Sequence, residues 1–292
     1  MNWPVSSYIQ LTKPRIVVLV LVTALAALVM EGSLLHRPGR LLLVLLAITM
    51  VAGSANAFNQ YFERGLDALM ARTRTRRPLP LRQVTARNAL IFAIAVGVLS
   101  VAMLYVIGNA LSAALALGTI LFYGFGYTLW LKPRTVHNIV IGGAAGAMGP
   151  VIAWAAASGG ITLAPILMFL VIFLWTPPHF WALALCVKED YRTVGIPMLP
   201  LVRGDAETYR QIEIYSVALV ALTLAMPFMR TGGLIYALLA LGLGCVFVWK
   251  AVRARRLATV RSAWEVFGFS ILYLFVLFLG LIADAIWRIP IL

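Results

Sequence analysis

Charge is scarce in this 292-residue chain: Asp, Glu, Lys and Arg make up 12% of it and hydrophobic residues 62%, against about 25% and roughly 45–50% in ordinary soluble domains. A water-soluble globular domain is excluded. Cysteine is scarce too, and Cys186 and Cys245 both lie in apolar stretches. That excludes a disulfide framework and a spaced thiolate metal site, and leaves both as packing residues. No Ser/His/Asp or Cys/His nucleophile arrangement is evident, and no low-complexity linker interrupts the chain. The net charge of +14 does not point to nucleic acid, because no segment is long and polar enough to build a basic domain or an aromatic-studded single-strand groove.

What the chain has instead is apolar runs long enough to cross a bilayer, about 20 residues each. They fall near 16–31, 41–62, 88–107, 110–130, 138–157, 163–187, 213–230, 233–250 and 266–287. The expected fold is all-α: nine transmembrane helices bundled around a central lipid-accessible cavity, one domain over 1–292. Charges at Lys13 and Arg15 precede the first run, and no clear small-residue cleavage site follows before Glu31, so a retained first span is expected rather than a removed signal peptide. With nine spans, every Lys and Arg except Arg37, Arg40, Arg230 and Arg288 falls on the side of the N-terminus. The positive-inside rule then predicts a cytoplasmic N-terminus and an exterior C-terminus. The basicity is mostly topology.

Most of the remaining polarity sits in two loops, after the second and sixth spans. The first, at 56–78, carries Asn56, Asn59, Glu63 and Asp67, then Arg72, Arg76 and Arg77. On a helix turning 100° per residue the first four sit at about 0°, 300°, 340° and 20°, a stripe roughly 80° wide. They can converge on one point. Oxygen donors of this kind suit Mg2+, which is commonly shared between one or two carboxylates and substrate phosphates. Arginines supply the matching forks for phosphate oxygens. The plainer alternative is that the asparagines bond to neighbouring helices while Glu63 and Asp67 pair with arginines at the interface. Charge inside a membrane is costly enough that a ligand is the better explanation.

The second loop, at 186–200, holds Lys188, Glu189 and Asp190, and the span before it contains Trp175-Thr176-Pro177-Pro178-His179. On a continuous helix His179, Cys186 and Asp190 share a face, the histidine roughly 16 Å deeper than the aspartate. His179 is either a ligating or proton-transferring group beneath a polar mouth or a histidine bonded between helices in a proline-bent span. Between the loops lie Tyr123, Phe125, Tyr127, Trp130, Lys132 and Arg134, then Gly142, Gly143 and Gly146. The aromatics read as an interfacial belt or as ring faces for a developing carbocation. The glycines read as close helix packing.

The pattern Asn59-x-x-x-Glu63-Arg64-x-x-Asp67-x-x-Met70-x-Arg72-Thr73, ending in Arg77-Pro78-Leu79, resembles the first acidic motif of the UbiA superfamily of intramembrane prenyltransferases. The segments 127–138 with the glycine run, 175–181 and 190–200 resemble the branch of it that farnesylates haem. The resemblance implies that Asn59, Glu63, Asp67 and Asp190 hold Mg2+. Lys132 then belongs to the catalytic set, Arg72, Arg76, Arg77, Arg134 and Lys188 bind diphosphate, and His179 touches haem. Where the wider superfamily usually has an acid after the motif asparagine, this chain has Gln60. The implied substrates are farnesyl diphosphate and haem B in the lipid bilayer of a bacterial inner membrane, with haem A synthase or oxidase assembly proteins as downstream partners. A quinone-precursor prenyltransferase would share everything but the acceptor. A transporter would show discontinuous helices and internal repeats, and a non-catalytic haem-handling protein would need His179 but neither Glu63 nor Asp67.

Overall fold

In a computed structural model, residues 5–287 are described, and all regular structure among them is helical. A short helix α1 (Val5–Leu11) leads into α2 (Pro14–Glu31), α3 (Pro38–Leu69) and the single turn α4 (Ala71–Arg74). Next come α5 (Ala86–Met103) and α6 (Ala110–Leu121), each continued by a wider π-helical stretch, Leu104–Gly108 and Phe122–Leu131. The fifth span is divided into α7 (Asn138–Gly146) and α8 (Met148–Ser158), and the sixth is α9 (Leu163–Cys186). Short pieces α10 (Lys188–Thr193) and α11 (Leu199–Val202) precede α12 (Gly204–Ala225), α13 (Leu234–Leu257) and α14 (Val260–Trp287).

Nine stretches of the described residues are long and apolar enough to cross a membrane, so the chain is a multi-pass membrane protein. The helices outrun the apolar runs that mark them. α3 continues to Leu69 rather than ending near 62, α12 begins at Gly204 rather than 213, and α13 and α14 leave only Ala258 and Thr259 where a loop over 251–265 was expected. Hydropathy reports the lipid-crossing part; backbone hydrogen bonding carries on into polar sequence. The fifth span breaks at Ala147 because Pro150 has no N–H for the Gly146 carbonyl. Arg288, placed by its sequence on the exterior side, lies outside the described residues.

Around the bundle α2 packs on α3, α3 on α5, and α8 on both α2 and α6; α9 packs against α7, α12 and α14, and α14 closes the ring on α2. The fifth and sixth spans are the most buried, 61% of the apolar stretch of each against 22% for the third. The glycines make the central packing possible. A Cβ at Gly142 would stand 2.3 Å from the Tyr127 ring, and one at Gly143 2.9 Å from Thr176.

Buried polar side chains tie helices together where water is absent. The Trp175 indole donates to the Ser270 carbonyl at 2.7 Å, and Asp284 accepts the N–H groups of Gly233, Ile235 and Tyr236 at 2.7, 3.0 and 2.8 Å. The latter satisfies the first turn of α13, whose amides have no partner within the helix. Asp284→Ala would strand three backbone donors, two of them in buried bonds, so unfolding in detergent should become easier by about 2–4 kcal/mol. A midpoint of thermal or denaturant unfolding equal to wild type would contradict this assignment.

Candidate active site

The extension of α3 decides what happens at the end of the bundle that carries α1. Because the helix does not stop near 62, Asn59, Glu63 and Asp67 stay on one helical stripe, one turn apart, and all three are almost fully buried. Buried carboxylates need partners, and each has one. Lys132 donates to Glu63 Oε1, and Arg77 to Asp67 Oδ2, with Glu63 Oε2 3.7 Å from the same guanidinium nitrogen.

Three elements bring the cations in. The π-helical stretch after α6 closes with the Lys132 N–H on the Tyr127 carbonyl, five residues back, at 2.9 Å. That wider turn aims Lys132 at α3, and π geometry of this kind is common at functional sites. Beyond α3 the chain turns at Met70, passes through α4 and returns with Arg77, its N–H on the Thr73 carbonyl at 2.9 Å and Thr73 Oγ1 on the Asp67 carbonyl at 2.8 Å.

The third cation is Lys13, which sequence reasoning missed. Its Nζ donates to Asn59 Oδ1 at 2.7 Å, from the link between α1 and α2. Burial among the helices, with the Arg77 charge next in effect, pushes this ammonium down to about 7. Nothing in the local sequence signals it, since the contact spans 46 positions. The Asn59 amide is also held, its Nδ2 donating to Thr128 Oγ1 at 3.3 Å.

Other expected residues are placed differently. Asn56 donates to the Thr12 carbonyl at 3.0 Å and Gln60 to the carbonyls of Gln10 and Leu11 at 3.1 and 3.0 Å, so both fasten α1 rather than face the cations. Asp190 does reach the first loop, but through the N–H groups of Ala71 and Arg72, both at 3.1 Å. Arg72 keeps a buried Nε with no protein partner, as expected of a group that meets a ligand. Arg76 is exposed. Arg134 turns back on the carbonyls of Leu129 and Trp130, and Lys188 pairs with Asp205 at 2.6 Å. The structure does not bring these three into the buried cluster.

His179 lies in a stack, its ring 4.3 Å from that of Trp175 and 4.6 Å from that of Phe267, with Nδ1 2.7 Å from Ser270 Oγ. Both ring faces and one nitrogen are occupied by protein, the arrangement of a histidine bonded between α9 and α14. The aromatics after α6 divide. Phe125 and Trp130 are exposed, whereas Tyr127 is buried and stacked on Tyr123 at 5.3 Å between ring centres.

Among the described residues, no three His, Cys, Asp or Glu side chains form a metal cage. Glu63 and Asp67, with the Asn59 oxygen, make a partial set of hard oxygen donors, which fits Mg2+, an ion that keeps waters and completes its shell from substrate phosphates. Their present partners Lys132, Arg77 and Lys13 are the counter-charges a diphosphate would take. The site thus brings together oxygen donors of the kind that suit a metal and cations of the kind that suit a diphosphate, paired with each other.

The profile of the UbiA prenyltransferase family matches residues 20–281. A protoheme IX farnesyltransferase of Symbiobacterium thermophilum is 45% identical over 96% of this chain and 94% of its own length. Another, from Gloeobacter violaceus, is 46% identical over 97% and 92%. Among solved structures, that of a digeranylgeranylglyceryl phosphate synthase superposes with a TM-score of 0.80 at 17% identity, covering 97% of this chain and 99% of that one. A UbiA homolog from Archaeoglobus fulgidus bound to DMAPP and Mg2+ superposes at 0.66, also at 17% identity, over 95% and 99%. By profile and by these relatives, this chain belongs to the UbiA prenyltransferase family.

Proposed function

We propose that this protein transfers the farnesyl group of farnesyl diphosphate to a vinyl group of haem B. The observation that carries the reading is the buried set in which Glu63 and Asp67 are matched by Lys132 and Arg77, in a chain 45% identical to protoheme IX farnesyltransferases over nearly its whole length. A haem-handling protein without chemistry has no use for these acids. The relative bound to DMAPP and Mg2+ supports a prenyl diphosphate as donor. We place this end of the bundle, with α1, on the cytoplasmic side of a bacterial inner membrane, because the basic loops gather there.

The residues have distinct tasks. Glu63, Asp67 and Asn59 would hold Mg2+, which when bound neutralises the diphosphate and stabilises it as a leaving group. Lys132 and Arg77, freed from the acids, would turn to the diphosphate oxygens, joined by the unpartnered Arg72 Nε. As the carbon–oxygen bond breaks, its electron pair leaves with the diphosphate, and these fixed cations stabilise that charge where it develops, in a site poor in water. The allylic carbon becomes cationic next to the Tyr123–Tyr127 pair, whose ring faces favour positive charge. The vinyl group of haem B supplies the electrons for the new carbon–carbon bond. Water then captures the substituent cation and loses a proton, giving a hydroxyethylfarnesyl group.

With purified protein, haem B, farnesyl diphosphate and Mg2+, chromatography with mass detection should show one prenyl unit added to the pigment. Glu63→Gln and Asp67→Asn should each lower that turnover by about 100-fold or more; turnover equal to wild type in both would sink the metal assignment. Farnesylation of a quinone precursor in preference to haem B would identify the other acceptor class. Lys132→Met should raise the KM for farnesyl diphosphate by about tenfold or more, leaving that for haem B near wild type. An equal rise for both substrates would show that Lys132 shapes the bundle rather than binds the donor.

A further inference from the structure

Gln60 lies on the buried face of α3, only 1% exposed, and takes no part in the chemistry above. Its Nε2 donates to two carbonyls at the end of α1, those of Gln10 and Leu11, the first of which also accepts the Lys13 N–H at 3.2 Å. Four residues earlier, Asn56 Nδ2 donates to the next carbonyl, that of Thr12. Three residues before that, Gly53 lets the chain come close, since a Cβ there would stand 3.1 Å from Thr12 Cγ2. Positions 53, 56 and 60 share one face of a helix. Together they receive residues 10, 11 and 12 in order.

Lys13 comes next, with φ 55 and ψ 62, and Pro14 opens α2. A lysine in the left-handed region is strained and persists only where its surroundings fix it. The grip on 10–12 is what fixes it, and the outcome is Nζ at Asn59 Oδ1, on the stripe that carries Glu63 and Asp67. We propose that Lys13 is a third cation of the diphosphate site and that Gln60 is the positioning residue that delivers it. The inference rests on the prenyl-donor reading of that site.

It also explains why an amide stands at position 60. A carboxylate there would set its oxygens against two carbonyl oxygens with no hydrogen to offer, and Gln60 is buried, where acceptors facing acceptors are costly. If Gln60 merely anchored α1, its loss would not depend on Lys13.

The test uses the full chain in detergent with Mg2+ and a farnesyl diphosphate analogue carrying sulfur in place of the bridging oxygen, followed by calorimetric titration. Lys13→Met is expected to weaken analogue binding about tenfold or more, and Lys13→Arg to restore most of it. Gln60→Glu should weaken binding to a similar degree, and should add nothing in the Lys13→Met background, the non-additivity expected when one residue acts through another. Haem B affinity, measured in parallel by absorbance, should stay near wild type. Should Gln60→Glu fail to fold, Gln60→Leu, which removes the donor without adding charge, carries the same comparison. Wild-type affinity in Lys13→Met, or losses that simply add, would overturn the proposal while leaving the donor reading intact. A wild-type protein that does not bind the analogue would overturn both.

Discussion

Two carboxylates can be buried on α3 because Lys132 and Arg77 meet them there. Removing one partner of a buried pair leaves an uncompensated charge, at a cost of about 3–5 kcal/mol. The surrounding architecture serves this meeting. The π-helical stretch after α6 turns Lys132 inward, α4 returns the chain so that Arg77 reaches Asp67, and the grip of α3 on residues 10–12 places Lys13 beside Asn59. Asp190, on the second loop, holds the amides that start α4, so the two polar loops form one structure. Paired in this way, the acids and cations are stable without substrate. In the proposed reaction they would be the two complements of a metal–diphosphate, and binding would exchange partners rather than create charge in a buried site.

Part of this was legible in the sequence. The spacing of Asn59, Glu63 and Asp67 requires only a helix, and a helix is what the apolar run before them predicts. The number of spans was legible for the same reason, because each is a long apolar run. Their ends were not, since hydropathy falls at Glu63 while the hydrogen-bond ladder of α3 continues to Leu69.

What escaped the sequence were contacts between distant segments. Lys13 read as a topological charge at the membrane surface; only the packing of α1 against α3 shows its Nζ inside. Asp190 read as a fourth metal ligand by resemblance, yet its carboxylate is occupied by two backbone amides. Of the two readings of His179, the geometry favours the helix tie, because the Trp175–Phe267 stack and Ser270 use both ring faces and Nδ1. Gln60 read as a departure from the family pattern, and becomes intelligible once its two carbonyl acceptors are seen.

On the proposed reading, acids and cations exchange partners when metal and diphosphate arrive, which would make the two ligands depend on each other. Calorimetric titration of Mg2+ into the purified protein, with and without inorganic diphosphate, measures that dependence directly. If carboxylates and cations must separate together, diphosphate should raise the Mg2+ affinity by about tenfold or more, and Mg2+ should raise that for diphosphate by the same factor, as linkage requires. The comparison must be corrected for Mg2+ binding to diphosphate in solution. Equal Mg2+ affinity in the presence and absence of diphosphate would contradict the account.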